Sequence, residues 1–125
     1  MKSALLCLLL TLAAGCRAPA GPAAPRLAHD VYFTLHDDTP EARAALAEAC
    51  RSLAHLDGVL SLSVGPLAEE LVRPVNDQAF DVALHVVFAD RAAHDRYQSS
   101  PEHQALLETW SERFETVRVF DSWVQ

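Results

Sequence analysis

Lysine is almost missing. Lys2 is the only one, so every other basic residue is an arginine or an ordinary histidine. With 10 Lys+Arg against 17 Asp+Glu the formal net charge is −7, and no basic stripe is present to neutralise phosphates. That argues against a nucleic-acid partner and against docking on anionic lipid by charge alone. Cysteine is scarce as well. Cys7 lies in an apolar leader, Cys16 directly follows it, and Cys50 is then alone, so no internal disulfide is expected. There is no glycine-rich phosphate loop, no nucleophile elbow and no CxxC. The six histidines include no pair at i,i+4, which makes a poor zinc signature. No metal and no cofactor are expected.

The chain has 125 residues, half of them hydrophobic, which allows one domain with a real core. Residues 1–15 read as a signal peptide. Lys2 supplies the positive end, and Ala4–Ala14 is an apolar run too short to span a bilayer, which takes ~20 residues. The run ends in Leu12-Ala13-Ala14-Gly15-Cys16, which is similar to the bacterial lipobox, with its leucine one place early. The expectation is lipidation of Cys16 and a membrane-anchored lipoprotein of the bacterial cell envelope. An ordinary cleaved signal, giving a secreted or periplasmic soluble protein, is the alternative. Residues 16–26 carry Pro19, Gly21, Pro22 and Pro25 among alanines and have no periodicity, as expected for a flexible tether. The domain proper is residues 27–125.

Within it, His29–His36 alternates, with His29, Val31, Phe33 and Leu35 on one face, which predicts a half-buried strand. Thr39-Pro40-Glu41 predicts a helix start, and an alanine-rich apolar stripe carries that helix to about Leu56. Asp57-Gly58 stops it. Val59–Val64 predicts a second strand with Leu60, Leu62 and Val64 on its buried face, ended by Gly65-Pro66. Leu67–Ala79 reads as a loop able to cover a cavity or extend a dimer contact. Phe80–Phe88 predicts a third strand. Asp90 caps a short helix through Tyr97, and Ser100 caps another carrying His103, Leu106, Leu107, Trp110 and Phe114. Glu115–Val124 closes as a strand. The order β-α-β-β-α-β predicts a ferredoxin-like α+β sandwich with helices on one sheet face. The bare face needs a cover, and a second copy is the simplest, so a homodimer with sheets face to face is expected.

Several markers now align: His29-Asp30-Val31-Tyr32-Phe33, Gly58-Val59, Gly65-Pro66, Phe80-Asp81, Phe88-Ala89-Asp90 and Tyr97-Gln98-Ser99-Ser100-Pro101-Glu102-His103. Together they resemble the Dabb family, the stress-responsive A/B barrel domain, from Leu27 to Gln125. The Tyr97…Pro101-Glu102-His103 segment resembles that family's Y-x-x-x-P-x-H. The resemblance implies a dimeric α/β barrel of the ferredoxin-like kind, most often without assigned activity. In a plant subgroup that cyclises a linear polyketide, the positions matching His29, Tyr97 and His103 lie in the pocket or carry the chemistry. This chain departs at Asp30, Thr34, His36 and Ser100.

Two functions stay open. One is a dimeric module that binds a small apolar ligand or a protein, with His29, Phe33, Tyr97 and His103 lining the pocket. The other is a cofactor-free enzyme, cyclase-like or monooxygenase-like, with His103 as general base and Tyr97 as hydrogen-bond donor to an enolate. Against the second stands simple packing, with Tyr97 a core residue whose hydroxyl is satisfied and His103 bonded within its own turn. Cys50 reads as a small buried hydrophobe. His85 reads as a hydrogen-bonded interface residue, and His36, His55 and His94 as solvated.

Overall fold

The computed structural model describes residues 24–125. The leader, Cys16 and most of the tether lie outside the described residues. Among those described, no helix is long and apolar enough to cross a membrane.

The chain runs β1 (Arg26–Leu35), α1 (Pro40–Arg51), β2 (Val59–Pro66), β3 (Val82–Phe88), α2 (Arg91–Ser99), α3 (Pro101–Trp110) and β4 (Phe114–Val124). The sheet order is β2-β3-β1-β4, with every neighbouring pair antiparallel. This is the ferredoxin-like arrangement. The expected α/β barrel is not formed: the sheet is open, with β2 and β4 as free edges. The reason is strand number. Closing a sheet around filled side chains takes about eight strands, and the domain has one four-stranded sheet.

The helices start where the sequence supplies acceptors. The side chains of Thr39, Asp90 and Ser100 accept from the backbone N–H of Ala42, Ala93 and His103. These bonds satisfy amides that have no partner in a first turn. Helix α1 ends at Arg51 and tightens into a 3-10 turn, Ser52–His55, before the level expected for it. Gly58 then turns the chain at φ +85°, where a Cβ would lie 2.3 Å from that of Ala93. Glycine is needed there both for the left-handed backbone and for the close approach of α2.

Alternation along β1 and β3 sends Val31, Phe33, Leu35, Val82, Leu84, Val86 and Phe88 to the helix side, all buried. They meet Leu46 and Cys50 of α1, Ala93 and Tyr97 of α2, and Leu106 and Trp110 of α3. Strand β2 departs from expectation. A register shift between Val59 and Ser61 leaves Leu60 52 % exposed, while Val59, Leu62 and Val64 pack against the core. A bulge of this kind strands one residue between two ladder pairs. Gly65 and Pro66 continue the strand instead of ending it, which an edge strand permits because a proline there forfeits no inner ladder bond.

Candidate functional site: a cavity under the third helix

Antiparallel pairing puts Val117 and Val119 of β4 opposite Phe33 and Val31 on the helix side of the sheet. Both remain about half exposed, because α3 leaves a gap above them. The gap is a cavity of about 280 Å³, just below the usual ~300–1,000 Å³ of small-molecule pockets. Its walls are apolar, among them Phe33, Leu106, Leu107, Phe114 and Val119. Four polar side chains also line it: His29, Tyr97, Gln98 and His103. Thus all four sequence-predicted pocket residues, Phe33 included, meet in one place.

The helix break makes this convergence. Tyr97 sits in the last turn of α2, and Ser100 breaks the run and caps α3, so His103 lies in the first turn of α3. The Tyr97 and His103 rings stand 4.9 Å apart at 46°. His29, on β1, has its ring 6.3 Å from that of Tyr97.

Hydrogen bonds fix the protonation pattern. His103 Nδ1 lies 3.2 Å from the carbonyl oxygen of Gln98. A carbonyl only accepts, so Nδ1 carries the proton and Nε2 keeps a lone pair. Burial pushes the His103 pKa below its ordinary value, helped by the nearby His29 and His94 and opposed by the Gln98 carbonyl. Its neutral form therefore dominates at pH 7. Tyr97 is 2 % exposed, and burial raises its pKa, with Cys50 adding to the rise. The phenol keeps its proton. Its hydroxyl has no hydrogen-bond partner among the described residues, although no wholly occluded side-chain N or O atom lacks one. Tyr97 is the core residue expected, and it also lines the cavity.

Three residues of the site were not singled out from the sequence. Asp121 of β4 accepts from His29 Nδ1 at 2.7 Å, a contact set by the register pairing His29 with Asp121. Gln98 places its side-chain amide nitrogen 3.5 Å from His29 Nε2 and 3.3 Å from His94 Nε2. His94 is not solvated as expected. Its side chain is 15 % exposed, edge-on to both His29 and Phe88 at 5.4 Å. The spacing of Gln98 four residues after His94 was a visible signal, since such residues share a helix face. Nothing in the sequence alone pairs Asp121 with His29.

The other face of the sheet is different in kind. There Tyr32, His85, Arg118 and Phe120 stand with the Leu67–Ala79 loop around an open groove of about 720 Å³. His85 bonds Asp30 at 2.7 Å, and Arg118 bonds Asp77 of the loop at 2.8 Å. The groove is larger than the cavity but holds no buried acid–base pair. Cys50 is wholly buried, and desolvation pushes its thiol up to about 12, so it behaves as a small hydrophobe.

Residues 27–124 match the model of the family described as Stress responsive A/B Barrel Domain. No curated protein matches the chain. Among solved structures, a Dabb family protein with a ferredoxin-like fold from Mesorhizobium loti is 26% identical, with a TM-score of 0.63 over 78% of this chain and 95% of that one. A dimeric ferredoxin-like protein of unknown function from Thermobifida fusca is 16% identical, with a TM-score of 0.67 over 81% of this chain and 92% of that one. The hydroxynitrile lyase from Passiflora edulis is 16% identical, with a TM-score of 0.64 over 83% of this chain and 96% of that one.

Proposed function

The chain belongs to the stress responsive A/B barrel domain family, and from that footing we propose that it is a small-molecule enzyme doing acid–base chemistry in the cavity under α3. One observation carries the reading. A partly open apolar cavity holds a neutral histidine and a protonated tyrosine side by side, and the Tyr97 hydroxyl is left without a protein partner among the described residues. In this reading His103 Nε2 takes a proton from carbon next to a carbonyl. The Tyr97 O–H donates to the carbonyl oxygen as it becomes an enolate, where a donor fixed among apolar walls counts most. The imidazolium then returns the proton to carbon or to a new alkoxide. His29, held by Asp121, orients the substrate. The Passiflora lyase supports the reading only in that one named enzyme has this fold. At that identity it transfers no residue role.

The test is proton exchange. The full-length chain is incubated in heavy water with small apolar β-diketones, and deuterium at the central carbon is followed by NMR. Exchange should exceed buffer by at least ~10²-fold, the usual contribution of a positioned base. Tyr97→Phe and His103→Gln should each remove most of it. Saturable binding without exchange would leave a ligand-binding module instead.

We also infer that the domain works as a homodimer. Solved relatives from Thermobifida fusca, Bacteroides fragilis and Jannaschia are described as dimeric. The sheet face away from the helices carries the half-exposed aromatic Phe120, and the loop beside it exposes Leu71, Val72 and Val75.

A further inference from the structure

Beside the cavity, two histidines from different elements are wired in the same way. His29 of β1 bonds Asp121 through Nδ1 at 2.7 Å. His94 of α2 bonds Asp95 through Nδ1 at 3.0 Å. A carboxylate accepts, so in each ring Nδ1 carries a proton, and the Gln98 amide nitrogen facing both Nε2 atoms leaves a lone pair on each. Both lone pairs converge on one point. The Gln98 amide nitrogen lies 3.5 Å from one Nε2 and 3.3 Å from the other, where its two hydrogens serve both. One ligating atom from each of His29, His94 and Asp121 lies within 4.8 Å of the others.

We propose that His29 and His94 form a binding site for a divalent transition-metal ion of the zinc class, with Gln98 as third protein donor. Two imidazoles presenting Nε2 to a shared point, each with Nδ1 held by a carboxylate, have the orientation that metal-bound histidines show. The point they share is held by an amide that donates, but the same side chain turned over by 180° offers a carbonyl oxygen there. That turn exchanges two hydrogen bonds to nitrogen for three donors to an ion. Imidazole with a neutral oxygen suits zinc, cobalt or nickel and not magnesium or calcium. A fourth position stays open, as in metal sites that act on small molecules. Asp121 and Asp95 are positioning residues in this site, aiming the rings rather than meeting the ion. His94 and Gln98 sit one helical turn apart, so α2 delivers two donors as a unit to the one on β1.

The site adjoins the acid–base cavity, which Gln98 also lines. It shares His29 with it, but its readout is affinity for an ion and not turnover. The test is calorimetric titration of the full-length chain with zinc alone, repeated with cobalt so that ligand-field absorption reports the donor set. One ion per chain is expected, with a tetrahedral-type cobalt spectrum. His94→Ala should weaken binding by ~100-fold or more, and Gln98→Leu by a smaller factor. Asp121→Asn should weaken it ~10–100-fold while keeping the stoichiometry, as outer partners do. His55→Ala, an exposed histidine on another part of the surface, should change nothing. Circular dichroism of each variant checks that the fold is kept. If His94→Ala is unfolded, Gln98→Leu and the nitrogen shifts of His29 and His94 on adding zinc decide the matter. No saturable one-to-one binding, or binding equally strong in the folded His94 and Gln98 variants, overturns the proposal.

Discussion

His103 shows how one side chain is set up by three neighbours of different origin. Its own helix caps its backbone through Ser100, the preceding turn fixes its tautomer through the Gln98 carbonyl, and burial holds its pKa low. A depressed pKa has a defined consequence for stability. Above the unfolded value of ~6.5 the residue is neutral in both states, and its contribution is complete. As pH falls from there through the lower folded value, the unfolded chain binds the proton first and stability is lost. We expect the NMR titration of His103 to have its midpoint below the ordinary histidine value of ~6.5, and exchange activity to follow that curve. A midpoint at or above ~6.5 would refute the assigned environment. At this scale the sequence was informative where alternation or spacing acts. His29, Phe33, Tyr97 and His103 could all be placed, whereas the solvation of His94 was misjudged. A histidine on a short helix looks solvated until the opposite sheet face is known, and that face is made here by His29 of β1 and Phe88 of β3.

The break between α2 and α3 is the element on which the site depends. A continuous helix would have wound Tyr97 and His103 onto sides set by its pitch. The extended backbone at Ser100, φ −66° and ψ 146°, turns the corner instead. Ser100→Ala removes the acceptor for the His103 amide, and we expect a loss of about 1 kcal/mol, read from urea unfolding. On the proposed function, activity should fall further than stability, because the capped turn is the one that carries His103. Ser100→Asp should restore the stability, since aspartate caps as well as serine. The starts of all three helices were legible, because capping is a local bargain between a short side chain and the next turn. The bulge in β2 was not. Leu60 alternates correctly with Leu62, and only the pairing with β3 shows that one residue is extra.

For the whole molecule, the order of elements predicted the ferredoxin-like sheet but not its open edges. Local pattern gives the faces of strands, while closure depends on how many strands there are and what meets them. Assembly is the matching prediction. Phe120 is 54 % exposed on the bare sheet face, with its ring 5.8 Å from that of Tyr32. We expect a two-fold homodimer in sedimentation equilibrium. Phe120→Asp should raise its dissociation constant by ~30-fold or more, the effect of a central aromatic anchor at ~2 kcal/mol. A wild-type chain that sediments as a monomer at all concentrations would remove the dimer.

The register of β1 has one more consequence, for timing. Arg26 pairs with Val124, so one of the two inner strands is among the first parts of the domain to be synthesised and one of its two neighbours is the last. Until that neighbour leaves the ribosome, β1 has an unpaired edge, and the cavity lacks the wall made by Val117 and Val119. Contacts between such distant parts of a chain form slowly, after the entropy of closing the loop has been met. The domain therefore completes its sheet as a unit, once β4 is present, rather than strand by strand.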